Sequence, residues 1–458
     1  MISKKSSQNI HLQDLSEKIQ AQLPFCEMLL HLGYTYLSIE EVNKQRKNKK
    51  DKFILQDIAL QTLSKINEYE VGGIKHKFEQ QEILKTIQEL ENTKLEGLID
   101  TSKIIYQKIM STGGKTIKVH NDGKIQSKSF KFIDFENIQN NDFSFTVEYT
   151  AKQKEEIRVD IVIFINGIPF VLIENKRASK GVEIAIWQHL RNQEPNKCPR
   201  LFMFSQLLIA SNKEKLKYAS IQTPENFWAS WKEQQLIDQD WQHKKQFTQK
   251  QQQDITQLIS QEIDKKVYAQ IQKDLDIKKL KQHNPQRKIT KQDTAVYNLL
   301  NKERLLDLVK HFILYDDGVK KVARYQQYFA VKKIQKRIKL QNKKRQGGIV
   351  WHTQGSGKSL TMALFVKALI ENTNIQTPRV IIVTDRIDLD KQIKGTFKNV
   401  GLKKEVKQAK SGQHLLDLIK QKDNNAPPVL KIYWQNGKIR VKTKKLKFTD
   451  VNAIGILH

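Results

Sequence analysis

The sequence predicts an α/β protein in which two domains are joined by a helical segment. Three observations support this fold class. Residues 116–210 alternate in the manner of β-strands, and residues 348–384 read as strand, glycine-rich loop, helix and strand. Residues 231–292 are rich in Gln and Lys but keep apolar residues at helical spacing. We therefore expect domains at residues 1–230 and 293–458 with this linker between them.

Composition indicates the kind of partner and excludes some classes of protein. The chain has 458 residues, and 80 Lys and Arg against 49 Asp and Glu give a formal net charge of +31. Such an excess favours a polyanion such as nucleic acid, although lysines spread over solvated helices would give the same total. Cys26 and Cys198 form neither a disulfide framework nor a metal-ligand pair, which indicates a reducing, cytoplasmic location. No apolar run approaches the roughly 20 residues of a membrane span.

The first domain is expected to open with helices and continue as a sheet. Apolar residues recur at three- and four-residue spacing over residues 15–95, which predicts helices there. The strand pattern is clearest in four segments, namely Phe143–Val147, Ile161–Phe164, Phe170–Ile173 and Leu207–Ala210.

Two acidic residues and a lysine stand at the ends of an apolar hairpin. Asp160 precedes its first strand, and Glu174 and Lys176 follow its second. Hydrolysis of a phosphodiester with Mg²⁺ needs carboxylate ligands and a lysine that orients or activates water. The alternative is an ordinary buried hairpin with solvated ends.

The register of this hairpin tests the chemistry. A two-residue loop, Asn166-Gly167, would place Asp160 and Glu174 on opposite faces of the sheet. A three-residue loop that also includes Ile165 would place Asp160 opposite Leu172, on the face of Glu174 and Lys176. The chemistry therefore predicts the three-residue loop, with Gly167 as its left-handed residue.

The second domain contains a glycine-rich loop between a strand at residues 348–352 and a helix at Ser359–Glu371. Glycines let the backbone wrap phosphates, Lys358 supplies a cation, and the hydroxyl of Ser359 is placed to ligate Mg²⁺. His352 stands where the strict motif has Gly, and a simple flexible turn is the alternative. Upstream, Gln327 is a candidate to pair with adenine. The predicted nucleotide-binding residues are Gln327, Thr353, Gly355, Ser356, Gly357, Lys358 and Ser359.

These segments together resemble a known family. Residues 158–176 (RVDIVIFINGIPFVLIENK) are similar to the PD-(D/E)xK nuclease core of the restriction subunits of type I restriction enzymes, with Val159 in place of the Pro. Residues 202–210, 324–331 and 347–359 resemble further blocks of that subunit in the same order. The resemblance implies that Asp160 and Glu174 bind Mg²⁺ and that Lys176 assists catalysis.

The resemblance also gives Gln188 a supporting role, although the Tyr that often follows four residues later in the family is Asn192 here. The implied fold is a PD-(D/E)xK nuclease-like mixed sheet flanked by helices, followed by a RecA-like parallel-sheet domain of a superfamily 2 helicase. The implied function is a DNA endonuclease and ATP-dependent translocase that uses Mg²⁺ and ATP. Its expected partners are double-stranded DNA and the modification (methyltransferase) and specificity subunits.

The motor is expected to be incomplete, because the acidic Asp-Glu-x-His box and the second lobe of such helicases are not found before His458. Two other readings remain open. One is a repair-type helicase fragment in which the hairpin is structural. The other is a non-catalytic truncated remnant that binds DNA or the methyltransferase core.

Overall fold

The computed structural model describes most of the chain. The described residues are 17–110, 115–121, 124–233, 241–278, 282–339, 349–350, 353, 355–371, 379–384, 387–399, 406–408, 413–414, 417, 429–433 and 453–457. The chain divides into two compact units, residues 1–310 and 311–458.

The first unit is built on a six-stranded mixed sheet. Its strands are β1 (Thr35–Tyr36), β6 (Phe143–Lys152), β7 (Glu156–Ile165), β8 (Ile168–Asn175), β9 (Leu207–Asn212) and β10 (Lys215–Ala219), in the spatial order β1-β6-β7-β8-β9-β10. Strand β1 runs parallel to β6 and β8 runs parallel to β9, whereas the other pairs are antiparallel. Every residue of β8 is buried. The sheet is therefore covered on both faces at this strand.

Helices cover this sheet, as the periodicity of the N-terminal residues predicts. They are α1 (Lys18–Gln22, a π-helical turn), α2 (Leu23–His31), α3 (Ile39–Gln45), α4 (Gln56–Ile66), α5 (Gln80–Glu91), α6 (Leu98–Met110), α7 (Glu183–Asn192) and α8 (Pro199–Phe202). Two hairpins, β2 (Glu68–Val71) with β3 (Ile74–Lys77) and β4 (Lys115–Asn121) with β5 (Lys124–Phe130), form separate two-stranded sheets.

The predicted three-residue loop between β7 and β8 is wrong. Ile165 pairs with Ile168, so the loop is Asn166-Gly167 alone, with φ of +52° and +75° at the two residues. Both residues are left-handed, as a type I′ turn requires, and Asn-Gly is a preferred pair for it. The side chain of Asn166 is buried and donates to Phe132 O at 2.7 Å, which fixes the turn against its surroundings.

A β-bulge in β8 places Asp160 and Glu174 on the same face of the sheet, as the chemistry requires. Phe164 pairs with Pro169 but Ile163 pairs with Val171, so Phe170 is an extra residue on β8. Beyond the bulge Ile161 faces Ile173, and the same register brings Asp160 next to Glu174. One extra residue is needed to bring the two acidic residues to one face, as predicted, but it lies within β8 rather than in the loop.

The segment after the sheet is helical, as its composition predicts. It contains α9 (Trp241–Ile259), α10 (Lys265–Asp274), α11 (Lys291–Leu299) and α12 (Lys302–His311). Helix α11 lies against α2, α9 and β10. The division into units therefore falls after residue 310 rather than near 292, because α11 and almost all of α12 belong to the first unit.

The second unit contains a parallel sheet with helices. Its described strands follow the order β14 (Val406–Gln408), β15 (Val429–Tyr433), β13 (Arg379–Thr384) and β16 (Ala453–Leu457), and all paired strands are parallel. A hairpin of β11 (Ile313–Asp316) and β12 (Val319–Val322) precedes α13 (Tyr325–Lys339), α14 (Lys358–Ile370) and α15 (Ile387–Asn399). The helix and the strand predicted around residues 359–384 are both present. Of the strand predicted at 348–352, residues 348, 351 and 352 lie outside the described residues, and the described Ile349 and Val350 are exposed and not in a strand.

Cys26 and Cys198 are both buried and free, which agrees with the expectation of no disulfide. Within the described ranges, none of the helices combines the length and the apolar character needed to cross a bilayer.

We predict that Gly167→Ala lowers the free energy of unfolding of the first unit by roughly 2–3 kcal/mol or more. Gly167 has φ of +75°, and an added β-carbon would lie 2.5 Å from the carbonyl oxygen of Leu55. The measurement is hydrogen exchange of the amides in β7 and β8. Gly73→Ala is the matched control, since φ is +83° there but no atom of the described residues lies within 4 Å of an added β-carbon. Equal losses in both variants would contradict the close approach at Gly167.

Candidate active site

Two strands bring the predicted acidic pair together at one end of the sheet. Asp160 lies within β7 and Glu174 within β8, and the two residues are 5% and 0% exposed. The backbone N–H of Asn175 donates to Oδ2 of Asp160 at 2.6 Å, which holds this carboxylate against the end of β8. The bulge at Phe170 therefore produces the convergence that the sequence predicts.

Lys176 completes the group. Its Nζ lies 3.8 Å from Oδ2 of Asp160 and donates to the carbonyl oxygen of Asn175 at 2.8 Å. Its backbone N–H donates to Ser211 O at 2.8 Å, so the neighbouring strand β9 fixes the residue from the other side. The three predicted residues are thus adjacent, buried and held by backbone hydrogen bonds.

A third carboxylate reaches the lysine from the N-terminal helix. Oε1 of Glu17 lies 3.4 Å from Nζ of Lys176, and its Oε2 accepts from the backbone N–H of Arg177 at 3.3 Å. The sequence analysis missed Glu17, because nothing in its local pattern distinguishes it from other helical glutamates. Only the packing of α1 near the sheet end brings it to the site.

Glu148 is a second acidic residue that the sequence analysis missed. It lies on β6 between Val147, which pairs with Ile161, and Tyr149, which pairs with Val159, so it stands opposite Asp160. Its φ is +50°, a left-handed value inside a strand, where a non-glycine residue is strained. Nε of Arg158 lies 3.0 Å from its Oε2. The sequence does offer a signal for Glu148, because a charged residue within the largely apolar run Phe143–Ala151 is unusual.

The electrostatics of the group follow from its burial. Burial raises the pKa of Glu174 well above its usual value, and the neighbouring carboxylate of Asp160 adds to the rise. Burial also raises the pKa of Glu17. For Lys176 burial works in the other direction, but the charges of Asp160, Glu174 and Glu17 outweigh it and raise the pKa. The lysine is therefore a cation at neutral pH.

The donor set fits a hard divalent cation. Both carboxylate oxygens of Glu174 are buried, and neither has a hydrogen-bond partner among the described residues. A carboxylate in this position is costly unless a proton or a metal ion compensates its charge. No group of three or more His, Cys, Asp or Glu in the described ranges is arranged to hold a metal. Two carboxylates suffice for Mg²⁺, which usually keeps several waters and takes further oxygens from a phosphate substrate.

Gln188 lies near the site without joining it. It is half-buried on α7, and no hydrogen bond links it to Asp160, Glu174 or Lys176 among the described side chains. The next residue, His189, is buried and its Nε2 lies 2.9 Å from Ile209 O on β9. Burial lowers the pKa of His189 to about 4, and the positive charge of Lys176 contributes to this shift.

The glycine-rich loop in the second unit leads directly into α14. Gly355 and Gly357 have φ of +74° and +82°, and Ser356 Oγ donates to Thr353 O at 2.6 Å. Helix α14 starts at Lys358, and Ser359 in its first turn is buried. The backbone N–H groups at this helix start are the kind that bind phosphate.

Gln327 lies against this loop. It is on α13, and its Nε2 lies 3.4 Å from Ser356 O and 3.3 Å from Gly357 O. A β-carbon at position 357 would come within 2.6 Å of the same nitrogen, but this flexible side chain can shift, so it is the φ of +82° that favours glycine there. The structure thus brings all seven predicted nucleotide-binding residues into one loop and its adjoining helices.

Comparison with known proteins matches both units. Residues 14–227 match the family described as type I restriction enzyme R protein N terminus, and residues 326–445 match the SWI2/SNF2 ATPase family. The MjaIXP type I restriction enzyme endonuclease subunit of Methanocaldococcus jannaschii is 28% identical over 422 residues, which cover 89% of this chain and 36% of the relative. The HindI endonuclease subunit of Haemophilus influenzae is 26% identical over 297 residues, covering 62% of this chain and 24% of the relative.

The chain is similar to the endonuclease subunits of type I restriction enzymes, and its first unit matches the N-terminal family of their R protein. It spans about a quarter to a third of the length of such subunits. The acidic pair, Lys176 and both missed glutamates fall inside the N-terminal match, and the glycine-rich loop falls inside the ATPase match. The predicted family and the predicted order of nuclease and motor regions are confirmed.

We predict that Glu174→Gln stabilises the metal-free protein at alkaline pH. In the unfolded chain this carboxyl ionises near 4.5, but in the folded chain it keeps its proton to a higher pH. As the pH rises above 4.5 the unfolded state loses the proton first, so the stability of the folded wild type falls. The amide removes this fall, and its melting temperature in EDTA at pH 8 should exceed that of wild type by at least about 2 °C.

Glu194→Gln, which changes an exposed glutamate on the same unit, is the control and should leave the melting temperature unchanged. A lower melting temperature for Glu174→Gln than for wild type at pH 8 would contradict an uncompensated carboxylate at this position.

Proposed function

We propose that this chain carries the DNA-cleaving site and the first ATP-binding lobe of a type I restriction endonuclease subunit. The single observation that carries the proposal is the buried carboxylate of Glu174, with both oxygens unpartnered among the described residues, beside Asp160 and Lys176. A structural hairpin would gain nothing from two carboxylates and a lysine placed together in a buried position.

The residues have distinct roles in hydrolysis of the phosphodiester. Asp160 and Glu174 would hold Mg²⁺, which when bound polarises the phosphate and lowers the pKa of water. Lys176 carries a raised pKa and stays protonated, so it stabilises the negative charge of the attacked phosphate or orients water as a donor rather than removing a proton. Glu17 limits the positions of the lysine ammonium through their contact at 3.4 Å.

The second unit supplies the nucleotide site. The amides at the start of α14, with Lys358 and the hydroxyl of Ser359, would bind the phosphates of ATP and its Mg²⁺. The contact of Gln327 with the loop backbone supports a role for this residue in shaping the site as well as the proposed pairing with adenine. ATP binding here would serve movement along DNA in the whole enzyme.

The partners follow from the relatives. Proteins named as type I restriction endonuclease subunits match this chain, so double-stranded DNA is the proposed substrate and the modification and specificity subunits are the proposed partners. The formal charge of +31 is consistent with binding to the phosphate backbone. Gln188 remains a candidate for a supporting role in DNA contact, since it is half-buried on the helix next to the site.

We predict that the chain nicks supercoiled plasmid with Mg²⁺ and without ATP. Asp160→Asn and Lys176→Ala should each lower the nicking rate by roughly 100-fold or more, because they remove a metal ligand and the phosphate-directed cation. The measurement is conversion of supercoiled to open-circular DNA at fixed Mg²⁺.

Two matched lysine variants serve as controls. Lys152→Ala removes an exposed lysine of β6 and should nick as wild type does. Lys358→Ala should also keep nicking but lose binding of a fluorescent ATP analogue. Nicking that persists in Lys176→Ala would favour the helicase reading with a structural hairpin, and no nicking by wild type would favour the non-catalytic remnant.

A further inference from the structure

A glutamine from the connecting helices reaches the proposed cleavage site. Gln292 lies in the first turn of α11 and is 0% exposed. It lies between the two ranges matched by the family models, residues 14–227 and 326–445, so neither match includes it. The side-chain Nε2 of Gln292 finds its acceptors in the sheet of the first unit, whereas Oε1 has no hydrogen-bond partner among the described residues.

The side-chain amide of Gln292 contacts both strands that hold the catalytic lysine. Its Nε2 lies 2.9 Å from Ser211 Oγ on β9 and 3.2 Å from Asn175 Oδ1 on β8. Its backbone N–H also donates to Lys213 O at 3.3 Å, which ties the start of α11 to the loop after β9.

The two partners of Gln292 are the residues that fix the site. Asn175 stands between Glu174 and Lys176; its N–H donates to Asp160 Oδ2 at 2.6 Å and its carbonyl accepts from Lys176 Nζ at 2.8 Å. Ser211 O accepts the backbone N–H of Lys176 at 2.8 Å. The amide of Gln292 therefore holds the side chain of Asn175 and the hydroxyl of Ser211. The backbone of Asn175 contacts Asp160 and Lys176, and the backbone of Ser211 contacts Lys176.

Helix α11 is itself firmly fixed at this end. Thr290 and Asp293 form a reciprocal capping box, and Asp293 accepts two hydrogen bonds from Arg287 at 2.7 and 2.9 Å. Arg287 also donates to Glu27 Oε2 on α2 at 2.7 Å. Buried bidentate pairs of this kind define a single orientation. These contacts fix the start of α11 and therefore the backbone position of Gln292.

We propose that Gln292 is a positioning residue for the metal site, through which helix α11 sets the spacing of Asp160, Glu174 and Lys176. This role rests on the proposed nuclease function, and it belongs to a residue outside both segments that the family models match. The chain passes from α11 through α12 into the second unit, which begins at His311. A shift of α11 along its axis would reach Asn175 and Ser211 through this amide.

The test compares the full-length wild type with Gln292→Leu, which keeps the approximate volume and removes the amide. The two readouts are the binding of Mn²⁺, followed by the electron paramagnetic resonance signal of the free ion, and the Mg²⁺ concentration for half-maximal nicking. We expect Gln292→Leu to weaken Mn²⁺ binding by at least about fivefold and to raise the half-maximal Mg²⁺ concentration similarly, since loss of outer partners of a metal site typically costs 10–100-fold.

Gln251→Leu is the matched control. It removes a hydrogen bond from α9 to the asparagine Asn298 on α11, Gln251 Nε2 to Asn298 Oδ1 at 2.8 Å. Gln292→Asn, which keeps an amide, should recover part of the Mn²⁺ affinity. A melting temperature measured for each variant separates loss of fold from loss of positioning.

The outcomes separate this proposal from the nuclease proposal. Mn²⁺ binding by Gln292→Leu equal to that of wild type and of Gln251→Leu would overturn the positioning role, whatever the nicking rate. Weaker Mn²⁺ binding at an unchanged melting temperature supports it, even if wild type binds Mn²⁺ but does not nick DNA, a result that would overturn the nuclease proposal alone. Equal losses in Gln292→Leu and Gln251→Leu would also overturn it, because a general effect on α11 would explain both.

Discussion

The burial of Glu174 next to Asp160 is the interaction on which the rest of the first unit depends. Two buried carboxylates repel each other and lose their hydration. The free-energy cost of this burial is larger than the stabilisation that a surface ion pair provides. The surrounding structure supplies a cation and a hydrogen-bond donor to Asp160. The ammonium of Lys176 lies 3.8 Å from Asp160, and the N–H of Asn175 donates to the same carboxylate at 2.6 Å. Glu174 alone receives no such donor among the described residues.

The bulge at Phe170 is the geometric counterpart of this chemistry. Without the extra residue, a two-residue Asn-Gly turn would send Asp160 and Glu174 to opposite faces. The turn and the bulge therefore have to occur together, and the turn is supported by contacts outside the hairpin. Asn166 donates to Phe132 O, and the carbonyl of Gly167 accepts from the N–H of Leu55 at 2.8 Å. The residues that precede α4 and follow β5 thus help to fix the turn between the two strands.

Much of this arrangement could be predicted from the sequence, and the failures have physical reasons. Strands β7 and β8 are apolar runs with charged ends, so their position and the closeness of Asp160, Glu174 and Lys176 could be predicted from the sequence. Parity fixed that an extra residue was needed, and Pro169, which adjoins the bulge, was a local signal for its place that the sequence analysis did not use. Glu17 and Gln292 were missed because their roles come from packing across 159 and 117 residues of sequence, which no local pattern records. Glu148 stands in an apolar run, and the sequence analysis did not use that signal.

The central claim is that Asp160 and Glu174 together bind a divalent cation, and anomalous diffraction from crystals soaked in Mn²⁺ tests it most directly. We expect one strong anomalous peak between the two carboxylates, about 2.0–2.3 Å from an oxygen of each, with waters completing the coordination and with Lys176 outside it. An empty position there at saturating Mn²⁺, with the carboxyl of Glu174 still buried and bonded to no ion, would contradict the account.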